Sequence, residues 1–84
     1  MADEIEVKRV RWHSRRGMLE LDVLLVPFAE EAYAGLSDED QARYRQLLEH
    51  EDPDLFAWFM EHLPPDDADM ERIVGLVREH ARNR

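Results

Sequence analysis

The chain reads as an all-α protein, a single bundle of five short helices, and three observations predict it. Apolar residues recur at three- and four-residue spacing in one segment after another. No window alternates apolar and polar residues over a strand's length, and no Asn-Gly or Asp-Gly pair marks a hairpin. Start and stop signals at Gly17, Gly35, Ser37, Pro53 and Asp66-Asp67 cut the pattern into short pieces with tight connections.

The first helix is expected at about Glu6–Ser14, with Val7, Val10 and Ser14 on one face and Lys8, Arg11 and Arg15 on another. Arg15 and Arg16 complement the negative end of its dipole, and Gly17 can adopt the left-handed conformation that closes a helix. A second helix begins at Met18 and carries Met18, Leu21, Leu25, Phe28 and Ala32 on one face. Pro27 cannot donate to the Val23 carbonyl, which predicts a kink or a break, and Gly35 ends the element.

Ser37 followed by Asp38, Glu39 and Asp40 is an N-cap with an acidic first turn, so a third helix starts there, with a narrow stripe of Tyr44, Leu47 and Leu48. It should stop near His50, because Pro53 disfavours helical geometry at Asp52. Asp52 as N-cap and Pro53 at the first helical position then open a fourth helix over about Pro53–His62. Its Leu55, Phe56, Trp58, Phe59 and Met60 are too many for a one-sided stripe, so either the helix is buried between neighbours or one ring faces a partner. After the rigid Pro64-Pro65 pair, Asp66 or Asp67 caps a fifth helix whose Met70, Ile73, Val74 and Val77 repeat at three and four.

Eighty-four residues give room for one core and one domain, spanning 1–84 with flexible termini expected at 1–5 and 81–84. No cysteine is present to staple it, so only a modest margin of about 3–5 kcal/mol is expected from the core. The acidic N-terminus lacks an apolar signal region, and the run Val23–Ala29 is too short to span a membrane, so a cytoplasmic protein without membrane insertion is expected. The net charge of −9 argues against a general nucleic-acid binder. That charge is uneven: residues 1–17 hold five basic and three acidic side chains, whereas the remaining 67 hold six and seventeen. One basic corner therefore sits on an acidic body.

Self-contained chemistry is hard to find. His13, His50, His62 and His80 show no metal-ligand spacing and fall in four different elements, so no metal is expected. Ser14 and Ser37 read as a helix-end residue and an N-cap, leaving no nucleophile with a partner base. The glycines at 17, 35 and 75 are too scattered for a phosphate loop. What remains is surface, and its least ordinary part is Arg15-Arg16-Gly17-Met18-Leu19-Glu20, where charge and hydropathy both switch. Read locally, this corner is complete as structure, since the arginines compensate a dipole, Gly17 turns, and Glu20 stabilises a helix start or pairs with Arg16.

Arg16-Gly17-Met18-Leu19-Glu20 also matches an Arg-Gly-x-x-Glu signature, and the stretch Trp12 to Asp22 around it resembles the succinate dehydrogenase assembly factor family. These are small flavinylation factors, also described as CptB-type antitoxins. The likeness continues at Pro27-Phe28, at Leu36-Ser37, and from Leu47-Leu48-Glu49 into Asp52-Pro53-Asp54-Leu55-Phe56-Ala57-Trp58, covering about residues 6–80. The resemblance implies a five-helix bundle that binds the flavoprotein subunit of succinate dehydrogenase, and of fumarate reductase where present. It further implies a non-enzymatic factor that promotes covalent attachment of FAD to that client, with FAD belonging to the client and none held stably by the factor. By the same resemblance Arg16, Gly17 and Glu20 would meet the client, with Arg15 and Met18 as neighbours and Arg11, Asp52, Asp54 and Trp58 as further candidates. The cluster Asp52, Pro53, Asp54 and Trp58 either borders that surface or caps and fills the fourth helix. A monomer is expected. The alternative implied function is an antitoxin that neutralises a membrane-associated toxin.

Overall fold

A computed structural model of the chain describes residues 3–83. Five α-helices and one short 3-10 turn make up its elements, and no strand occurs among the described residues. They are α1 (Glu4–Ser14), α2 (Leu19–Glu31), the turn Tyr33–Gly35, α3 (Asp38–Leu47), α4 (Asp52–Phe59) and α5 (Ala68–Arg82). Of the termini expected to be flexible, Met1, Ala2 and Arg84 lie outside the described residues, whereas Glu4, Ile5, Ala81 and Arg82 are helical.

Local signals set most of the helix starts. Asp3 accepts the Glu6 amide at 2.7 Å, which begins α1 two residues earlier than its apolar spacing suggests. Ser37 accepts the Asp40 amide to open α3, and Asp67 accepts the Met70 amide at 2.9 Å to open α5. α2 begins at Leu19 and runs through Pro27 to Glu31, so the proline does not break it. Leu25, Phe28 and Ala29 are buried on either side of Pro27, and this packing holds the helix together where one backbone donor is missing.

α4 departs from expectation at both ends. Its N-cap is Glu51 rather than Asp52, and no side chain bonds there. The Asp52 carboxylate is occupied elsewhere, by Arg16. The C-terminal end comes at Phe59, three residues early, because Glu61 takes a left-handed conformation with φ 62. The His62 amide then bonds the Ala57 carbonyl at 2.8 Å and the Glu61 amide bonds that of Trp58 at 3.2 Å, a Schellman closure with glutamate in the place glycine usually fills.

α2 is the central element, packing on α1, α4 and α5, while α3 also packs on α5. The core is built from Leu21, Leu25 and Phe28 of α2, Tyr33, Tyr44, Leu47 and Leu48, Leu55, Trp58 and Phe59 of α4, and Met70, Ile73, Val74 and Val77 of α5. Two buried polar clusters fasten it. Ser14 Oγ donates to the Val10 carbonyl and lies 2.7 Å from Tyr44 Oη, which also reaches the Leu25 carbonyl at 3.1 Å, so one hydroxyl pair joins α1, α2 and α3. Asp40, with its side chain 8% exposed, accepts from Arg72 at 2.8 and 2.9 Å and from Arg43 at 2.8 Å. These guanidinium bonds outweigh burial and hold its carboxyl at a pKa of about 2, which ties α3 to α5.

Candidate functional site

α1 ends at Ser14, and the chain then turns through Arg15, Arg16 and Gly17 into α2. Gly17 has φ +84, the left-handed region that an L side chain adopts only under strain. A Cβ there would meet nothing within 4 Å, so it is the backbone conformation and not crowding that calls for glycine. The turn is pinned from α2 by Asp22, whose carboxylate accepts the Arg16 amide at 2.7 Å.

The Arg16 side chain turns inward. Its Nε donates to Asp52 Oδ1 at 2.8 Å, Nη1 to the carbonyl of Leu48 at 2.9 Å and to that of His13 at 3.3 Å, and Nη2 to the carbonyl of His50 at 2.8 Å. The Leu48 and His50 carbonyls lie just past α3, where helical partners run out, and a planar five-donor guanidinium suits three acceptors and a carboxylate at once. Only 13% of this side chain is exposed. Arg16 therefore joins the α1–α2 turn to the α3–α4 connection, and it explains why Asp52 does not cap α4.

The other residues expected at the site divide clearly. Glu20 and Arg15 are exposed, and neither side chain has an internal hydrogen bond or ion pair among the described residues. Met18 is half-buried and packs against the core beneath the corner. Arg11 is half-exposed and lies 3.8 Å from Glu30 across the α1–α2 groove. Asp52 is brought to the corner by Arg16, whereas Asp54 is exposed at the start of α4. Trp58 is 5% exposed and meets the His50 ring edge-on at 4.8 Å, so of the two alternatives for the aromatic helix the structure places this ring in the core.

Sequence reasoning missed one residue. Trp12 is 79% exposed and borders the Arg15–Arg16–Asp52 depression on one side and the α1–α2 groove on the other. Its position was legible: with Val10 and Ser14 facing inward, residue 12 lies about 200° around a helix from each. A large indole left in water beside a rigid turn is the least ordinary surface feature of the molecule.

No group of three or more histidine, aspartate or glutamate side chains able to hold a metal occurs among the described residues, and no helix is long and apolar enough to cross a membrane. Fold and corner define a small all-α protein whose distinctive chemistry lies on its surface. Residues 8–81 match the family model described as the flavinator of succinate dehydrogenase. The chain is 61% identical over 82 residues to a FAD assembly factor SdhE of Pseudomonas aeruginosa, covering 98% of each. It is 53% identical over 77 residues to the factor of that name in Shewanella oneidensis, covering 92% of this chain and 94% of the relative. The solution structure of a UPF0350 protein superposes with a TM-score of 0.79 at 38% identity, covering 99% of this chain and 88% of that one. The chain belongs to the family of succinate dehydrogenase flavinators.

Proposed function

We propose that the protein binds the flavoprotein subunit of succinate dehydrogenase, and of fumarate reductase where present, in the cytoplasm as a monomer, and promotes covalent attachment of FAD to that subunit. The observation that carries this reading is that the Arg-Gly-x-x-Glu stretch of a family member forms a rigid, outward corner in which Glu20 and Arg15 remain unpaired. Rigidity matters because a factor that speeds a reaction within its partner acts by holding that partner in a reactive geometry, and a pre-set surface loses little freedom on binding. The bond forms on the client, and FAD belongs to the client. Within this reading Arg16 positions the corner from inside, Gly17 lets the backbone approach closely, and Glu20 and Arg15 make charge-assisted contacts.

Deleting the gene and measuring covalent flavin on the denatured flavoprotein subunit tests the proposal. Covalent flavin should fall strongly and return with a plasmid copy. Unchanged flavin content with normal succinate oxidation would sink it.

A further inference from the structure

Resting on the client-binding reading above, the structure assigns a second part to that contact. We propose that the α1–α2 groove docks an amphipathic segment of the flavoprotein client, one edge carrying carboxylates and the other apolar side chains, with Trp12 as the central anchor.

The two walls of the groove have different chemistry. Along α1, Lys8, Arg11, Trp12 and Arg15 recur at three- and four-residue spacing and form one stripe. Along α2, Leu19, Val23, Val26 and Glu30 share one helical face by the same spacing, and Arg11 lies 3.8 Å from Glu30 across the groove. The α1 side is therefore cationic around an indole, and the α2 side passes from Glu30 and Val26 in the groove to the exposed Val23 and Leu19 on the same helical face nearer the corner. Leu19 is 74% and Val23 54% exposed, so with Trp12 they are three of the six large apolar side chains left in water among the described residues. They adjoin the corner directly, because Leu19 follows Met18 at the start of α2.

Internal structure gives these side chains no employment. Trp12 and Leu19 are exposed outside the packed core, Arg15 has no partner among the described residues, and the Lys8–Glu4 and Arg11–Glu30 pairs, at 3.9 and 3.8 Å, are long and solvent-exposed. A large aromatic side chain flanked by arginines is the composition of an interface anchor. Charge complementarity selects the occupant. Lys8, Arg11 and Arg15 attract carboxylates, and the apolar surface of Trp12, Val26 and the adjoining Val23 and Leu19 demands an amphipathic segment. An anionic lipid surface fits poorly, since residues 18–84 carry a net charge of −11 and would be repelled by it.

Purified client flavoprotein is the probe, and the protein carrying Trp58→Phe, so that Trp12 is its sole indole, is the reporter. Client addition should shift Trp12 emission to shorter wavelength. Trp12→Ala should weaken client binding at least tenfold with an unchanged melting temperature, as should the pair Lys8→Glu with Arg11→Glu, two groove cations outside the corner; Glu20→Ala serves as the marker of the corner itself. If Trp12→Ala and the double variant bind the client within twofold of the parent while Glu20→Ala does not, the groove assignment is overturned and the corner stands. Loss with Trp12→Ala but not with the charge reversal overturns the acidic segment. An emission shift with phosphatidylglycerol vesicles and none with client overturns the proposal in favour of a membrane. If the parent does not bind the client at all, both the groove and the client-binding reading fall. Should Trp58→Phe fail to fold, the affinity measurements on the parent background decide alone.

Discussion

At Gly17 the cost of substitution is conformational. With φ +84 and open space around it, Gly17→Ala should lower folding stability by about 1–2 kcal/mol, read as a shift of the urea midpoint at unchanged slope. Glu20→Ala should leave that midpoint within about 0.5 kcal/mol, since the carboxylate bonds to nothing internally. The two charged ends of the motif are therefore unequal. Arg16→Ala strands the Asp52 carboxylate and the Leu48 and His50 carbonyls and should cost about 2–3 kcal/mol by the same measurement. A larger loss from Glu20→Ala than from Arg16→Ala would contradict this division. None of it is local in sequence: Arg16 reaches Asp52 across 36 positions, so the corner's spacing could suggest a dipole partner or a pairing with Glu20 but not this clamp.

Helix starts were legible because an N-cap is decided within four residues, as Ser37 and Asp67 show. The core face of α2 was legible for a similar reason, since Leu21, Leu25 and Phe28 repeat at helical spacing and all three are buried. The end of α4 was not, because its closing left-handed residue is Glu61 and no glycine announces it. The cost of that conformation is tolerated alongside an ion pair from Glu61 to Arg78 at 2.9 Å, which links the end of α4 to α5. Within α5, Gly75 has neither a left-handed backbone nor a neighbour that a methyl group would meet. Gly75→Ala should accordingly stabilise the protein by about 0.5–1 kcal/mol through helix propensity alone, seen as a higher melting temperature. Destabilisation would mean that α5 is packed more tightly there than the structure shows.

Across the whole molecule, stability and function draw on different charges. Asp40 holds α3 to α5 and has its folded pKa lowered from 3.8 to about 2, so the unfolded chain takes up its proton first as pH falls. The stability it contributes is complete above about pH 4–5 and is lost as pH falls toward 2. Asp40→Asn should flatten the dependence of the unfolding free energy on pH in that window; an unchanged acid limb would place the acid sensitivity elsewhere. The acidic body and the basic first helix, by contrast, were visible from the residues alone, and on the proposed reading they mark the face turned to the client. Their effect should be salt-dependent, with client affinity falling as ionic strength rises.

The most direct test reconstitutes the reaction. Apo-flavoprotein subunit, FAD and the purified protein are combined, and covalent flavin is read by in-gel fluorescence after denaturation, with parent and Glu20→Ala compared at matched melting temperature. The account predicts a marked rise in covalent flavin with the parent and little above background with Glu20→Ala. Equal flavinylation by the two proteins, or none with either, would contradict it.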